Sequence, residues 1–371
     1  MRLSTSKLEL QSALQKLSKA TPARSTLPIL NCVLFQVTEE QTILRSTDLE
    51  ITIVIDLPAS IEETGTAAIP IQTLIDITNE LPECRIGIAM DSELNVELIT
   101  DTGTYDLKAK PAEEFPAAPD VDNRQVFAIE QDAMQSIIDK TLFAVSRDEL
   151  KPSLTGVFFR VGDDSLTAVA TDGHRLVRYI KEDYKSGEFK GDVIIPRKFL
   201  SLIRTLLGTK DTIQFWMAEN HMTVSIGKDT VYTRVIDERF PDYESVIPTD
   251  NEKSFSTSVK NLLGAVRRVS IFSNKSTHQI ALRLGQDKSI ITTEDPEKAS
   301  KAQETLSGEY KGEDITIGYN AAYLKDLLAH IDSDEATIKL KTSISAALFF
   351  PETVDENVDL TMLLMPIRLN D

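Results

Sequence analysis

Apolar residues along this chain follow two periods that alternate in a fixed order. Leu8, Leu10, Ala13, Leu14 and Leu17 recur at helical spacing and predict an amphipathic helix over 6–20, with N-cap candidates at Ser4–Ser6 and a stop at Pro22. Val33-Leu34-Phe35-Gln36-Val37 reads as a strand, and 43–55, alternating and β-branched, as one or two more. Pro70 opens a second helix that runs from Ile71 to about Leu81. Strands over about 85–90, 95–100 and 104–108 follow, and the stretch closes on Glu114-Phe115-Pro116.

The same order then recurs twice. A helical pattern over 127–145 leads to Val157-Phe158-Phe159-Arg160-Val161, which matches the earlier strand. Ile194-Ile195-Pro196 opens a helix to about Leu207, and the stretch closes on Arg239-Phe240-Pro241. In the third round, 259–269 is helical and Ile280-Ala281-Leu282-Arg283-Leu284 is the strand. A helix from about Asn320 to His330 follows, and Met365-Pro366 closes the series. The closing prolines at 116, 241 and 366 suggest a period near 125 residues. That is far longer than a solenoid repeat, so each unit is expected to be a domain. The predicted division is 1–120, 125–247 and 253–371, with linkers near 116–124 and 247–254, in an α+β architecture of three like domains.

The chain has 371 residues, 41% hydrophobic and 26% charged, as in ordinary globular proteins. No apolar run approaches the ~18 residues of a membrane helix. The N-terminus lacks the apolar core of a signal peptide, and Cys32 and Cys84 stand far apart, so a reducing, cytoplasmic setting is expected. The net charge of −18 argues against nucleic acid until it is divided by element. Segment 197–210 carries Arg197, Lys198, Arg204 and Lys210 and no acid, and 257–275 carries Lys260, Arg267, Arg268 and Lys275. With 1–24 also basic, the helical segments are net positive and the strands and loops carry the acid. Helices gathered on one face would give a basic surface that attracts phosphates without reading bases.

A 125-residue globule is about 35 Å across. Three in a circle leave a hole of about 5 Å and six a hole of about 35 Å, while B-DNA is roughly 20 Å wide. Two three-domain chains joined head to tail would therefore suffice to encircle a duplex.

Thr171-Asp172-Gly173-His174-Arg175-Leu176 concentrates more functional side-chain types than any other stretch. An Asp/His catalytic pair is one reading. No nucleophile elbow surrounds Ser165 or Thr171, no phosphate-binding glycine motif occurs, and His174, His221, His278 and His330 stand at no metal-ligand spacing. A tight turn with Gly173 at positive φ is the plainer reading. The other two repeats have no close equivalent, so a duty confined to one repeat is expected.

Thr26-Leu27-Pro28-Ile29-Leu30, Thr171–Leu176, Phe240-Pro241-Asp242-Tyr243 and Met365-Pro366-Ile367-Arg368-Leu369, in that order and with the threefold repeat, resemble the bacterial sliding clamps, the β subunits of DNA polymerase III. The resemblance covers the whole chain. It implies three clamp-type domains per chain in a head-to-tail homodimeric ring, with helices lining the hole and antiparallel sheets outside. It implies no catalysis, cofactor or metal, and a role in holding the replicative polymerase on double-stranded DNA. A clamp loader and other clamp-binding proteins (repair polymerases, mismatch repair, ligase) are the further partners it implies.

By the same resemblance, partner peptides dock on Leu154, Thr171, Gly173, His174, Arg175, Leu176, Pro241, Val246, Leu363, Leu364, Met365, Pro366, Ile367 and Arg368. The apolar members would take a peptide's anchors, and His174 and Arg175 its carbonyls or acids. Arg24, Arg197 and Lys198 are the expected DNA contacts. Tyr105 and Leu107 are expected to meet Ile271 and Phe272 of a second copy. Four departures stand out: Ser245 where some clamps have Arg, Pro152-Ser153 where some place tyrosines, Ile367 in place of a Met, and Asn370-Asp371 beyond the usual end. The rival reading, a sequence-specific DNA-binding regulator, needs a helix-turn-helix or similar reader, and no such pattern is present.

Overall fold

The computed structural model describes every residue except Ala23, 119–124, Ser186, 209–210, Glu219 and 370–371. The Asn370-Asp371 extension, Lys210 and most of the first linker lie outside the described residues. The helices are α1 (Lys7–Leu17), α2 (Ile71–Glu80), α3 (Gln131–Thr141), α4 (Arg197–Arg204), α5 (Val259–Val269) and α6 (Ala321–Ala329). Helices α1, α5 and α6 begin on side-chain caps. Ser6 accepts from the Glu9 amide, Ser258 from Asn261, and Asn320 from Ala322 and Tyr323, satisfying donors that a first turn leaves open. Pro70 stands at the N-cap of α2, as its fixed φ favours.

The predicted helices of the first two repeats are longer than those observed. α1 ends at Leu17 and passes into a 3-10 turn, and α4 stops at Arg204. The pattern read as a helix over 127–145 is a strand, Gln125–Glu130, followed by α3. Phe127 and Ile129 are buried two residues apart, a strand period, and helical spacing begins only with Met134, Ile137 and Ile138. Equivalent strands, Arg2–Ser6 and Lys253–Ser258, precede α1 and α5. Each repeat thus opens strand–helix, a start that the continuous apolar content hid.

The chain forms two compact units, Met1–Gln131 with Thr205–Val235, and Asp132–Arg204 with Ile236–Asp371. The first contains an antiparallel eight-stranded sheet in the order Gln125–Glu130, Thr212–Ala218, His221–Ile226, Asp229–Arg234, Ile51–Asp56, Thr42–Thr47, Cys32–Val37, Gly65–Pro70. It also holds a five-stranded sheet that ends at the edge strand Thr104–Lys108. Helix α1 packs on α2. Phe127 and Phe215, paired across neighbouring strands, stack with ring centroids 4.8 Å apart.

The second unit contains a nine-stranded sheet in the order Gly191–Pro196, Gly156–Val161, Ser165–Thr171, Arg175–Glu182, Val358–Leu364, Ala347–Pro351, Glu335–Leu340, Lys253–Ser258, Glu309–Lys311. A four-stranded sheet runs from Ser300–Leu306 to Ile315–Asn320, and α5 packs on α6. The units cut across the sequence repeats because ladders join them. Asp229–Arg234 of the second repeat pairs with Ile51–Asp56 of the first, and Arg175–Glu182 pairs with Val358–Leu364 of the third.

The repeats have a structural signature of their own. After its last strand, each sends a short segment back onto its own edge strand through an isolated bridge: Lys110 to Ala68, Ile236 to Ile194 and Ile367 to Gly318. This corrects the proline register. Pro116 and Pro241 lie several residues beyond the bridging residue, whereas Pro366 precedes it, so the second interval of 125 is not a structural equivalence.

Candidate functional site

Thr171 ends one strand and Arg175 begins the next, so Asp172-Gly173-His174 is the turn between them. Asp172 Oδ1 accepts from the amides of His174 (2.9 Å) and Arg175 (3.0 Å). Thr171 Oγ1 donates to the Arg175 carbonyl (2.7 Å) and accepts from the Gly173 amide (3.1 Å). Gly173 has φ +89°, the left-handed region that a residue without Cβ enters at little cost. The expected tight turn is therefore present, and its side chains hold backbone rather than reacting groups.

Arg175 explains the second oxygen of Asp172. It is 8% exposed and makes three bonds. Nε donates to Asp172 Oδ2 at 3.0 Å, Nη1 to Asp326 Oδ2 at 2.9 Å and Nη2 to the Phe143 carbonyl at 2.8 Å. The guanidinium also lies between the rings of Phe143 and Tyr323, 5.2 and 4.9 Å from their centroids. Arg175 was expected to meet a peptide's carbonyls or acids, but its donors are committed inside the protein. The same arrangement disposes of an Asp/His pair, because both Asp172 oxygens are engaged and the His174 ring stacks on Tyr323 at 5.4 Å.

The C-terminal wall is joined directly to this turn. Arg175 and Leu176 stand opposite Leu364 and Leu363, and the Met365 amide donates to the His174 carbonyl at 2.8 Å. Leu154, Leu176 and Leu363 enter one apolar cluster with Phe158, Val169, Ile194, Phe240, Tyr243 and Leu348. Alternation along the strand excludes Leu364 from that cluster, although it is buried. Pro241, Val246, Met365 and Arg368 are exposed, and Pro366 and Ile367 half-buried.

Sequence reasoning missed the aromatic part of this cluster. Phe158 and Phe240 stack at 4.9 Å, with Tyr243 tilted against both rings. Burial raises the Tyr243 phenol above its ordinary value, an effect that the nearby Arg160 opposes. The available signal was Phe240-Pro241-Asp242-Tyr243 itself, which stood out in the sequence without a place in the groove.

The expected DNA contacts are placed as follows. Arg24 is exposed, and Arg197 and Lys198 form the first turn of α4, Lys198 exposed and Arg197 half-buried. Desolvation, with repulsion from Arg147, lowers the pKa of Arg197. Several other helix cations are neutralised in place: Arg204 by Asp139 (2.6 Å), Lys140 by Asp332 (2.6 Å) and Arg268 by Glu304 (2.8 Å). Counting charge by segment therefore overstates the free positive charge of the helices. Of the expected seam residues, Tyr105 and Leu107 are half-buried on an edge strand, while Ile271 and Phe272 are 76% and 45% exposed. Among the described residues no three His, Cys, Asp or Glu side chains are grouped to hold a metal.

Models of the DNA polymerase III beta subunit match this chain in three consecutive parts: the N-terminal domain over residues 1–119, the central domain over 128–242 and the C-terminal domain over 244–368. A beta sliding clamp from Pseudomonas putida is 30% identical over 364 residues, 96% of each chain. The chain belongs to the DNA polymerase III beta subunit family. A second relative, the beta sliding clamp of Vibrio cholerae, is 27% identical over the full length of both chains. A solved sliding clamp, DNA polymerase III subunit beta, from Pseudomonas aeruginosa superposes with TM-score 0.92 at 29% identity, covering all of both chains. The three-domain beta subunit fold is thus shared throughout, and the family's assembly is a dimeric ring. Its function is that of a DNA sliding clamp that tethers the polymerase, a role without catalysis.

Proposed function

We propose that this chain closes with a second copy into a ring around double-stranded DNA and holds partner proteins through the groove between the Thr171–Leu176 turn and the Leu363–Arg368 tail. The observation that carries the docking reading is the Met365–His174 hydrogen bond, which sets the tail beside the turn with the cluster of Leu154, Phe158, Leu176, Phe240 and Leu363 below. Apolar anchors of a linear peptide would meet that cluster, and Val246 and Met365 would form its mouth. The domains are taken as 1–120, 125–247 and 253–371. Arg24, Arg197 and Lys198 face the duplex, and Tyr105 and Leu107 meet Ile271 and Phe272 of the second copy.

The replicative polymerase, a clamp loader and other clamp-binding proteins of repair, mismatch correction and ligation share the groove in this reading, in the cytoplasm at the nucleoid. One experiment tests topology. Protein loaded on nicked circular DNA should stay bound, and linearising the circle should release it. Equal retention on open-ended linear DNA would overturn the ring and favour a site-specific binder. Loss of peptide binding on truncation after Leu364, with dimer and DNA retention intact, tests the groove separately.

A further inference from the structure

Two strands of each repeat are used to join repeats, and one of each kind is left over. Ile51–Asp56 of the first repeat pairs with Asp229–Arg234 of the second, and Arg175–Glu182 of the second with Val358–Leu364 of the third. The remaining counterparts are Ser300–Leu306 of the third repeat and Thr104–Lys108 of the first, each the end strand of its sheet. The register of the two formed seams transfers to these edges. The isolated bridges align Lys110, Ile236 and Ile367, which makes Asp106, Tyr232 and Leu363 equivalent. Following the ladders outward from Ala68, Ile194 and Gly318 aligns Thr47, Thr171 and Glu294, two residues beyond Arg45, Val169 and Thr292. Opposite Thr47, Thr171 and Glu294 stand Thr52, Leu176 and Lys301. In the formed seams Thr52 faces Tyr232 and Leu176 faces Leu363. The third pair of the series is Lys301 and Asp106.

That position is uncharged in both seams within the chain and oppositely charged on the two open edges. Lys301 is 66% exposed, and its ion pair with Glu294 on the neighbouring strand is long, 3.8 Å. Asp106 stands directly opposite Glu97, and both are exposed. Like charges so placed repel, and a cation arriving beside Asp106 would relieve them. The two edges also present the unpaired backbone N–H and C=O groups that accept a further strand. Neither edge strand is long or apolar, so the charges on it decide which strand it accepts.

We propose that Ser300–Leu306 of one copy adds antiparallel to Thr104–Lys108 of a second copy in this register, and that the ion pair of Lys301 with Asp106 selects that partner. The row across the seam then runs Glu294, Lys301, and Asp106 and Glu97 of the second copy, so one cation meets acids on both sides. The same register sets Ala302 opposite Tyr105 and Ser300 opposite Leu107. Ser300 Oγ donates to the Phe272 carbonyl at 3.2 Å, which brings Leu107 of one copy to Phe272 of the other. The inference rests on the ring reading and adds to it a register and a selecting contact. It also makes the seam between copies more sensitive to salt than the seams inside the chain, whose equivalent pairs carry no charge.

The test uses the full chain and measures dimer dissociation by analytical ultracentrifugation at low salt. Lys301→Asp and Asp106→Lys should each weaken the dimer by about tenfold or more, because every ring has two seams and each exchanges an attractive pair for a repulsive one. The double exchange should recover most of the loss. A double variant no tighter than the single ones overturns the ion pair. Register is read separately by oxidative cross-linking. A chain carrying Asp106→Cys and Lys301→Cys should form covalent dimers, and one carrying Asp106→Cys and Gln303→Cys, two residues out of step, should not. Cross-linking of the second variant as fast as the first overturns the register. A wild-type dimer indifferent to all these changes removes this inference and leaves the ring reading standing, whereas a wild-type chain that stays monomeric removes both.

Discussion

Arg175 and Asp326 form a 2.9 Å ion pair that fastens the start of a second-repeat strand to helix α6 of the third repeat. The partners are unequal. Arg175's side chain is 9% exposed and that of Asp326 55%. Removing the buried partner leaves Asp172 without its Nε donor and the Phe143 carbonyl without its Nη2 donor. Arg175→Ala should therefore destabilise the chain by about 3 kcal/mol, as loss of one member of a buried network does. Asp326→Asn should cost no more than about 1 kcal/mol, because its carboxylate is largely in water. Urea unfolding of both variants checks the ranking, and equal losses would contradict it. Peptide affinity should fall in Arg175→Ala through the displaced turn, not through a lost direct contact.

The chain should lose stability in alkali. Tyr184 is buried, and burial pushes its phenol from 10.0 up to about 12. Tyr179, Tyr243, Tyr310 and Tyr323 are raised for the same first reason. The unfolded chain releases these protons near pH 10 and the folded chain later, so the folded state binds more protons in that interval. Stability is then complete below pH 10 and falls as pH rises toward 12. Thermal melts from pH 8 to 11.5 should show midpoints declining above 10, and Tyr184→Phe should flatten the decline. A midpoint that rises over this range would refute the sign.

Contacts to DNA should be few and electrostatic. Each of Arg24, Arg197 and Lys198, if it reaches a phosphate, contributes about 0.9 to the slope of log K against log salt. Single alanine substitutions should each lower that slope by roughly one without altering sequence preference. The substitution Arg204→Ala should leave it unchanged, because Asp139 already holds its Nε and Nη2. Salt titrations on one duplex check all four variants, and a slope change for Arg204→Ala as large as the others would show that the ion pair opens on DNA.

The repeat order was legible in the chain because strand and helix periods alternate strongly, and α5 appears where the spacing of its leucines and valines places it. Local turn chemistry was legible too, since Gly173 between Asp172 and His174 has few other uses. Pairing across repeats was not. Nothing local in Asp229–Arg234 says that it will lie beside Ile51–Asp56, so the two compact units could not be anticipated from three sequence repeats. The fate of Arg175 was hidden for a similar reason. Its partners Phe143, Tyr323 and Asp326 are distant in sequence, and an arginine in a polar motif reads as available until those partners are seen. Segment charge misled in the same way, because the acids that neutralise Arg204 and Arg268 come from other elements.

The bridge between Ile367 and Gly318 makes the tail's position depend on a glycine. A Cβ built at Gly318 would stand 2.6 Å from the Ile367 carbonyl oxygen and 2.7 Å from Leu369 Cδ2, closer than such atoms approach. Both obstacles belong to the tail, so Gly318→Ala should push 366–369 off the edge strand and shift the groove wall that Met365 begins. Overpacking of this kind costs about 1–3 kcal/mol. If a third of that is felt at the groove, peptide affinity falls by roughly two- to fivefold. Gly173→Ala is the matched control. Its added Cβ meets nothing within 4 Å but must adopt φ +89°, so it strains the turn by about 1 kcal/mol and leaves the tail in place. Hydrogen exchange of the Ile367 amide, which donates to the Gly318 carbonyl at 2.9 Å, separates the two. It should accelerate in Gly318→Ala and not in Gly173→Ala. Unchanged protection in Gly318→Ala would mean that the edge strand yields instead of the tail, and the groove would then keep its affinity.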